Sequence, residues 1–254
     1  MAHQALWSGR FKEPLSAVAL KFSSSIDLDQ QLYQEDIAGS IAHVEMLASC
    51  HILTAAEARR IRTGLKKIQQ EIEAGKFHMT GDFEDIHLAI EQRLIQKIGS
   101  LGGKLHTGRS RNDQIALDER LYLRWAIREL SKLILQLHRV RLYKAEKNFG
   151  VLMPGYTHVQ RAQPVMLAHH LLAYVSMLER DFERLQDCFK RVNKSPLGAG
   201  ALAGSSFPID RHRVARKLHF DGVVENSIDA VSDRDSLIEF VSACSLILMH
   251  LSRF

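Results

Sequence analysis

Cysteine is scarce in this sequence, with Cys50, Cys188 and Cys244 the only three in 254 residues. They are scattered through apolar helical patterns and form neither a CxxC pair nor a Cys/His ligand spacing, which excludes disulfide scaffolds and zinc ribbons. A reduced, cytoplasmic setting without a metal is the expectation. Long apolar runs are missing as well. The most apolar stretch, Leu237 to Leu251, is interrupted by Glu239 and His250 and is shorter than the roughly 20 residues that cross a bilayer. It reads as a buried helix, and no membrane partner is expected. Met1 to Ser16 mixes His, Trp, Arg, Lys and Glu and lacks the apolar core of a signal peptide. Although the formal net charge is +5, no run of Lys and Arg is dense enough to follow a phosphate backbone. Nucleic acid is therefore not an expected partner, and small acidic ligands fit better. Finally, no β-branched runs of alternating polarity separate the periodic segments.

What remains is helical spacing almost everywhere, and with 46% hydrophobic residues the chain can bury a sizeable core. The fold class is all-α. Thr54 and Glu57 form a capping-box pattern, after which Ala58, Ile61, Leu65, Ile68 and Ile72 recur at three and four until Gly75. Ile37, Ile41, Val44 and Ala48 predict another helix, and Ile86, Ile90 and Leu94 a third that ends before Gly99. Beyond Gly102 and Gly103 the pattern lengthens. Ile115 to Asn148 contains no Gly or Pro and carries Leu123, Ile127, Leu130, Ile134 and Leu137 on one stripe, a rod of about 50 Å. Pro164 suits the first turn of a second rod through Leu171, Leu178, Leu185 and Val192. Ser232, three residues before Asp235, suits the cap of a third. The stripes are long for a single globule, so part of their surface is expected between subunits. The third rod reaches Phe254 in mid-period, as a portion of a longer protein would.

Polar chemistry is concentrated in a few stretches. Ser23 to Ser25 reads as a turn or helix cap before Asp29. Thr107 to Gln114 places Arg109, Ser110, Arg111, Asn112 and Asp113 just ahead of the first rod. Two guanidiniums and an amide beside a helix N-terminus suit an anion. Met153 to Pro164, expected as a loop, holds Tyr156, Thr157, His158, Gln160, Arg161 and Gln163. An imidazole held between rigid helices suits general acid or base work. In Glu84 to His87, Asp85 and His87 offer two ligands, too few for a metal site, and a capping or site-lining role is expected. The glycine-rich run Ser195 to Ser206 lacks the Walker lysine spacing and a preceding strand, so it reads as close packing of helices rather than a phosphate loop.

In order along the chain, WSGRF, FSSSI, HTGRSRNDQ, GYTHVQRAQP, PLGAGALAG and NSIDAVSDRD resemble the argininosuccinate lyase family and its lens-crystallin relatives, within the wider fumarase and aspartase group. Ser23 and Val159 are mild departures, where Asn and Leu are usual. The resemblance implies an N-terminal helical domain, 1–104, followed by the first part of a central long-helix bundle, 105–254, with the C-terminal domain absent. It implies a carbon–nitrogen lyase that needs no cofactor, cleaving argininosuccinate to arginine and fumarate in arginine biosynthesis, and a homotetramer whose active sites draw on several subunits. Ser25, Arg111, Asn112 and Thr157 match substrate-binding positions and His158 the acid/base position. The family's proton-abstracting serine belongs to a loop resembling GSSxMPxKKNP, which does not occur in these residues, so the chain alone is expected to be inactive. The rival readings are a non-catalytic, crystallin-like structural protein and another fumarate-releasing lyase.

Overall fold

Thr54 starts a helix with a complete capping box. Its Oγ1 accepts the Glu57 amide at 3.2 Å while Glu57 Oε2 accepts the Thr54 amide at 2.9 Å, so two of the unpaired N–H groups of a helix start are satisfied reciprocally. This computed structural model describes residues 16–79 and 83–254; the WSGRF segment lies outside them. Short helices α1 (Ala17–Ser23) and α2 (Ile26–Asp29) precede α3 (Tyr33–Ser49), α4 (Ala55–Glu73) and α5 (Ile86–Ile98). The expected apolar stripes face inward: Ile37 and Val44 of α3, Ile61 and Leu65 of α4, and Ile86 and Ile90 of α5 share one core. Asp85 caps α5 by accepting the Leu88 amide at 2.6 Å. Gly75 and Gly99, at φ 65° and 74°, end α4 and α5 in the left-handed backbone that glycine adopts at least cost.

The glycine-free, proline-free run forms α6 (Arg111–Lys147), 37 residues long, or roughly 55 Å. A hairpin of β1 (Leu152–Thr157) and β2 (Gln160–Met166) follows, then α7 (Leu167–Val192), α8 (Arg211–Lys217), α9 (Ser227–Ser232) and α10 (Asp235–Ser252). The class is all-α with this one antiparallel exception among the described residues, and the exception corrects two expectations. Met153 to Pro164 is not an irregular loop. Pro164 does not open α7 either, because it pairs with Pro154 inside the hairpin and α7 begins at Leu167. A bulge lies between Pro154 and Tyr156, where a Cβ on Gly155 would meet the Gln163 carbonyl oxygen at 2.7 Å.

Compactness divides the described residues into two units. The first holds the chain through Leu121 plus Lys194–Ser232, and the second Tyr122–Asn193 plus Asp233–Phe254. The first unit runs past residue 104 to Leu121 and takes in 194–232. The reason is that 194–232 folds back onto it: Lys217 Nζ lies 2.5 Å from Glu45 Oε2, and Asn112 Nδ2 donates to the Ala201 carbonyl at 2.9 Å. In the second unit, Leu123, Ile127 and Ile134 of α6, Leu178, Leu185 and Val192 of α7, and Ala243 and Ile247 of α10 form the core.

The last helix departs from its expected pattern. Ser232 ends α9, its hydroxyl donating to the Ile228 carbonyl at 2.7 Å, and α10 begins three residues later without a side-chain cap. The stripe expected to be buried is largely open, with Val241 61% and Leu248 66% exposed. The covered face is Ser236, Ala243, Ile247 and His250, because small Ala243 and a polar pair, His250 Nδ1 with Asp181 Oδ2 at 2.6 Å, set how α10 meets α7. By length and composition α10 could cross a membrane, yet it carries Glu239, which accepts from Arg191 Nε at 2.7 Å, as well as the buried histidine.

Between α5 and the turns that follow it, Gly102 approaches so closely that an added Cβ would sit 2.8 Å from the Ile95 backbone nitrogen, whereas nothing lies within 4 Å of one on Gly103. Backbone cannot move aside as a side-chain tip can. Gly102→Ala is expected to lower unfolding free energy by about 1–3 kcal/mol and Gly103→Ala by less than about 0.5 kcal/mol, measured by urea denaturation. Equal effects would contradict this packing.

Candidate active site

Ser110 and Asp113 build the start of α6 together. The Ser110 amide donates to Asp113 Oδ1 at 2.9 Å, and Ser110 Oγ accepts the Asn112 amide at 3.3 Å, an arrangement close to a capping box. Asp113 Oδ2 turns the other way and accepts the Gly198 and Gly200 amides, both at 2.9 Å. Burial pushes this carboxyl up, against the pull of its three amide donors. The glycine-rich run, expected as close packing of helices, is instead a turn wrapped around a buried carboxylate. Gly198 and Gly200 have φ 95° and 64°, and a Cβ on Gly200 would lie 2.4 Å from the Gly204 carbonyl oxygen.

This framework sets out the predicted anion-binding residues. Arg111, the first residue of α6, points its guanidinium at two acids, with Nε 3.4 Å from Asp85 Oδ2 and Nη2 3.8 Å from Glu91 Oε2, while Nη1 donates to Gln114 Oε1 at 3.0 Å. Nε and Nη2 are both buried and complete no hydrogen bond among the described residues, so the guanidinium is held by these two acids at ion-pair distance. Asn112 is exposed beside it. Ser25 belongs to the same unit: its amide donates to the Glu84 carbonyl at 2.9 Å and its hydroxyl to Asp29 Oδ2 at 2.5 Å. Asp29 Oδ1 in turn accepts the Ile86 amide at 3.0 Å. The serine segment is thus tied to the start of α5, where Asp85 faces Arg111. Arg109, expected among the anion-binding groups, instead reaches inward to donate to Ser40 Oγ at 2.9 Å.

Thr157 and His158 belong to the second unit. His158 and Val159 are the two residues of the hairpin turn, at φ 51° and 60°, with Thr157 paired to Gln160. Two positive φ angles define a type I′ turn, usually made by Asn-Gly. In a β-branched residue such as Val159, 92% exposed, the left-handed backbone costs roughly 1–2 kcal/mol. Strain of this kind concentrates where function fixes a conformation.

Below the α6 start lies a buried polar cluster that sequence reasoning did not assemble. His87 Nδ1 lies 3.0 Å from Asp36 Oδ1 and 3.4 Å from Asp118 Oδ2, and Gln114 Nε2 also donates to Asp36. Burial opposes ionisation of Asp36, but His87, Arg109 and Gln114 outweigh it and hold the carboxyl at about 2. Burial and then the Asp36 charge push the Asp118 carboxyl well above the usual carboxylate range. Asp36, His87 and Asp118 each offer a ligand atom within 4.8 Å of the others. A cation there would have to compete with the Arg109 guanidinium and the Gln114 amide for Asp36. The available signal was the spacing of Asp36, Ser40 and His43, polar residues at four and three among the buried positions of α3.

The sequence profile of the family described as Lyase matches residues 9–254. Argininosuccinate lyase of Geobacter sulfurreducens is 55% identical over 254 residues, covering 100% of this chain and 56% of its own length. That of Anoxybacillus flavithermus is 57% identical over 249 residues, covering 98% and 54%. The chain thus spans about half the length of these curated relatives. Among solved structures, EDDS lyase in complex with formate superimposes with a TM-score of 0.82 at 32% identity, over 93% of this chain and 46% of that one. The β-carboxy-cis,cis-muconate cycloisomerase of Acinetobacter calcoaceticus shares the fold, with a TM-score of 0.72 at 19% identity over 89% of this chain and 54% of its own.

His43 offers a test of how tightly the Thr107 loop is held. Its Nε2–H donates to the Thr107 carbonyl at 2.9 Å, and burial, then the Arg109 charge, lower its pKa from 6.5 to about 3. The unfolded chain takes up this proton near its ordinary value while the folded one refuses it, so the stabilisation is complete above 6.5 and is lost as pH falls toward 3. His43→Gln keeps a donor and removes the titration. Between about pH 7 and pH 5 the parent should lose about 2 kcal/mol more than the variant in urea denaturation; parallel losses would contradict the buried, neutral imidazole.

Proposed function

Because the chain belongs to the lyase family whose profile matches residues 9–254, we propose that it is a portion of an argininosuccinate lyase, releasing fumarate and arginine from argininosuccinate. The observation that carries the reading is the α6 start: an arginine held between two acids, an exposed amide and the serine segment gathered around one helix N-terminus, in a chain 55% identical throughout to a relative of that name. We read 1–104 as the N-terminal domain of the whole enzyme and 105–254 as an incomplete central bundle. The whole enzyme is a cytoplasmic homotetramer.

The chemistry asks for such donors. Removing a proton from the carbon beside a carboxylate drives charge onto that carboxylate, and fixed donors around it lower the barrier most. Ser25, Arg111, Asn112 and Thr157 take this role. As the C–N bond breaks, its electrons leave with the guanidino nitrogen, the former C–H pair becomes the double bond of fumarate, and His158 assists proton transfer to the departing nitrogen. The turn that holds His158 in left-handed backbone supports a fixed presentation of the ring.

The proton-abstracting serine loop of the family is not among these residues, so the 254-residue chain alone should give no fumarate from argininosuccinate, followed by ultraviolet absorbance. A chimera joining it to the remaining portion of the Geobacter sulfurreducens relative should turn over, and His158→Asn in that chimera should lower kcat by about 10²–10⁴-fold. A folded chimera that is inert, or that prefers another fumarate-releasing substrate, would contradict the proposal and favour the structural or alternative-lyase reading.

A further inference from the structure

We propose that the cleft between α4 and α5 binds a polyphosphate anion, at a site separate from the Arg111 and Asn112 cluster. The cleft has a volume of about 440 Å³ and is lined by four cations, Arg59, Arg60, Lys67 and Lys97, and by no acid. Charge of one sign at this density needs a reason, because like charges held together raise each other's energy.

The neighbouring acids are already committed elsewhere. Glu57 pairs with Lys104 at 2.6 Å and Glu45 with Arg62 at 3.1 Å and with Lys217. Glu71 holds Arg93 at 3.0 Å as well as Lys97. Of the four cleft cations only Lys97 is therefore compensated. The side chains of Arg59, Arg60 and Lys67 have no hydrogen-bond or ion-pair partner among the described residues, and none belongs to those with further contacts.

Shape supports the same reading. Arg60, Thr63 and Lys67 follow one another at three and four along α4 and so share a face, and all three line the cleft. The floor is set by Gly64, where a Cβ would meet Leu94 Cδ1 at 2.6 Å and Ile98 Cγ2 at 3.6 Å. The missing side chain lets the two helices close at this level while the longer cations stand above it. Two guanidinium forks, an ammonium and a hydroxyl match the several oxygens of a phosphate chain better than a single carboxylate. A volume of this size exceeds one orthophosphate and admits a di- or triphosphate with part of an attached group resting on Ile98. Free polyphosphate and a nucleoside triphosphate share this chemistry.

Calorimetric titration of the 254-residue chain with tripolyphosphate, ATP and fumarate, at fixed ionic strength, separates the outcomes. Saturable binding of tripolyphosphate is expected, with fumarate far weaker. ATP tighter than tripolyphosphate identifies the nucleotide as the source, and the reverse order the free polyphosphate. The double variant Arg60→Gln/Lys67→Gln replaces exposed residues and should bind tripolyphosphate about 100-fold more weakly, at about tenfold for each charge-assisted hydrogen bond removed. Lys66→Gln, on the same helix but outside the cleft, should bind like the parent. Circular dichroism confirms that each variant is folded. No saturable binding by the parent, equal binding by the double variant, or fumarate binding as tightly as tripolyphosphate would overturn the proposal.

Discussion

The first unit depends on one buried carboxylate. Asp113 accepts amides from Ser110, Gly198 and Gly200, joining the start of α6 to a turn more than eighty residues later in sequence. A charge removed from water is tolerated only when it is hydrogen-bonded, so its three donors are obligatory partners, and their positions dictate the backbone around them. That requirement explains why glycines stand at 198 and 200, where the chain must enter left-handed conformations within reach of the carboxylate. It also explains why 194–232 belongs with the N-terminal helices and not with the long ones it follows.

On this anchor sits a division of labour between neighbouring polar residues. Arg109 and Gln114 face inward and stabilise the Asp36 charge, whereas Arg111, held against Asp85 and Glu91, and the exposed Asn112 form the outward set. Removing one member of a buried network leaves another unpaired, at a cost of several kcal/mol, roughly 3–5 in measured cases. The inward set therefore keeps the outward set in register. A loop with one capping residue would place α6 equally well but would leave Arg111 free to turn toward solvent. The rise of the Asp118 carboxyl beside Asp36 reflects the same constraint, since burial and the neighbouring charge both oppose a second negative charge there.

Much of the fold was legible where a local rule and the tertiary fold agree. Thr54 with Glu57, the α4 stripe from Ala58 to Ile68, and the unbroken run that became α6 all follow from capping, period and the absence of glycine and proline. The failures occurred where local signals admit two outcomes. Pro154, Gly155 and Pro164 mark a break in helix without saying that the break is a hairpin, and the left-handed turn at His158 and Val159 uses residues that ordinarily avoid it. In α10 two stripes are apolar, and period alone does not reveal that Ala243 and His250 face the core while Val241 and Leu248 do not. Within the candidate site, Arg111 and Asn112 were legible as polar excess beyond what capping requires. Asp36, His87 and Asp118 come from three different helices, and their meeting is a property of the packing. Ser232 illustrates the same limit: a residue suited to begin a helix is here the last residue of the one before.

Amide hydrogen exchange in Asp113→Ala, read by mass spectrometry, tests most directly whether this carboxylate organises the loop that carries Arg111 and Asn112. The account predicts that peptides covering 105–114 and 195–204 lose protection together, while α4, which shares no hydrogen bond with Asp113, keeps its own. Unchanged protection at 195–204, or loss confined to 105–114, would contradict it.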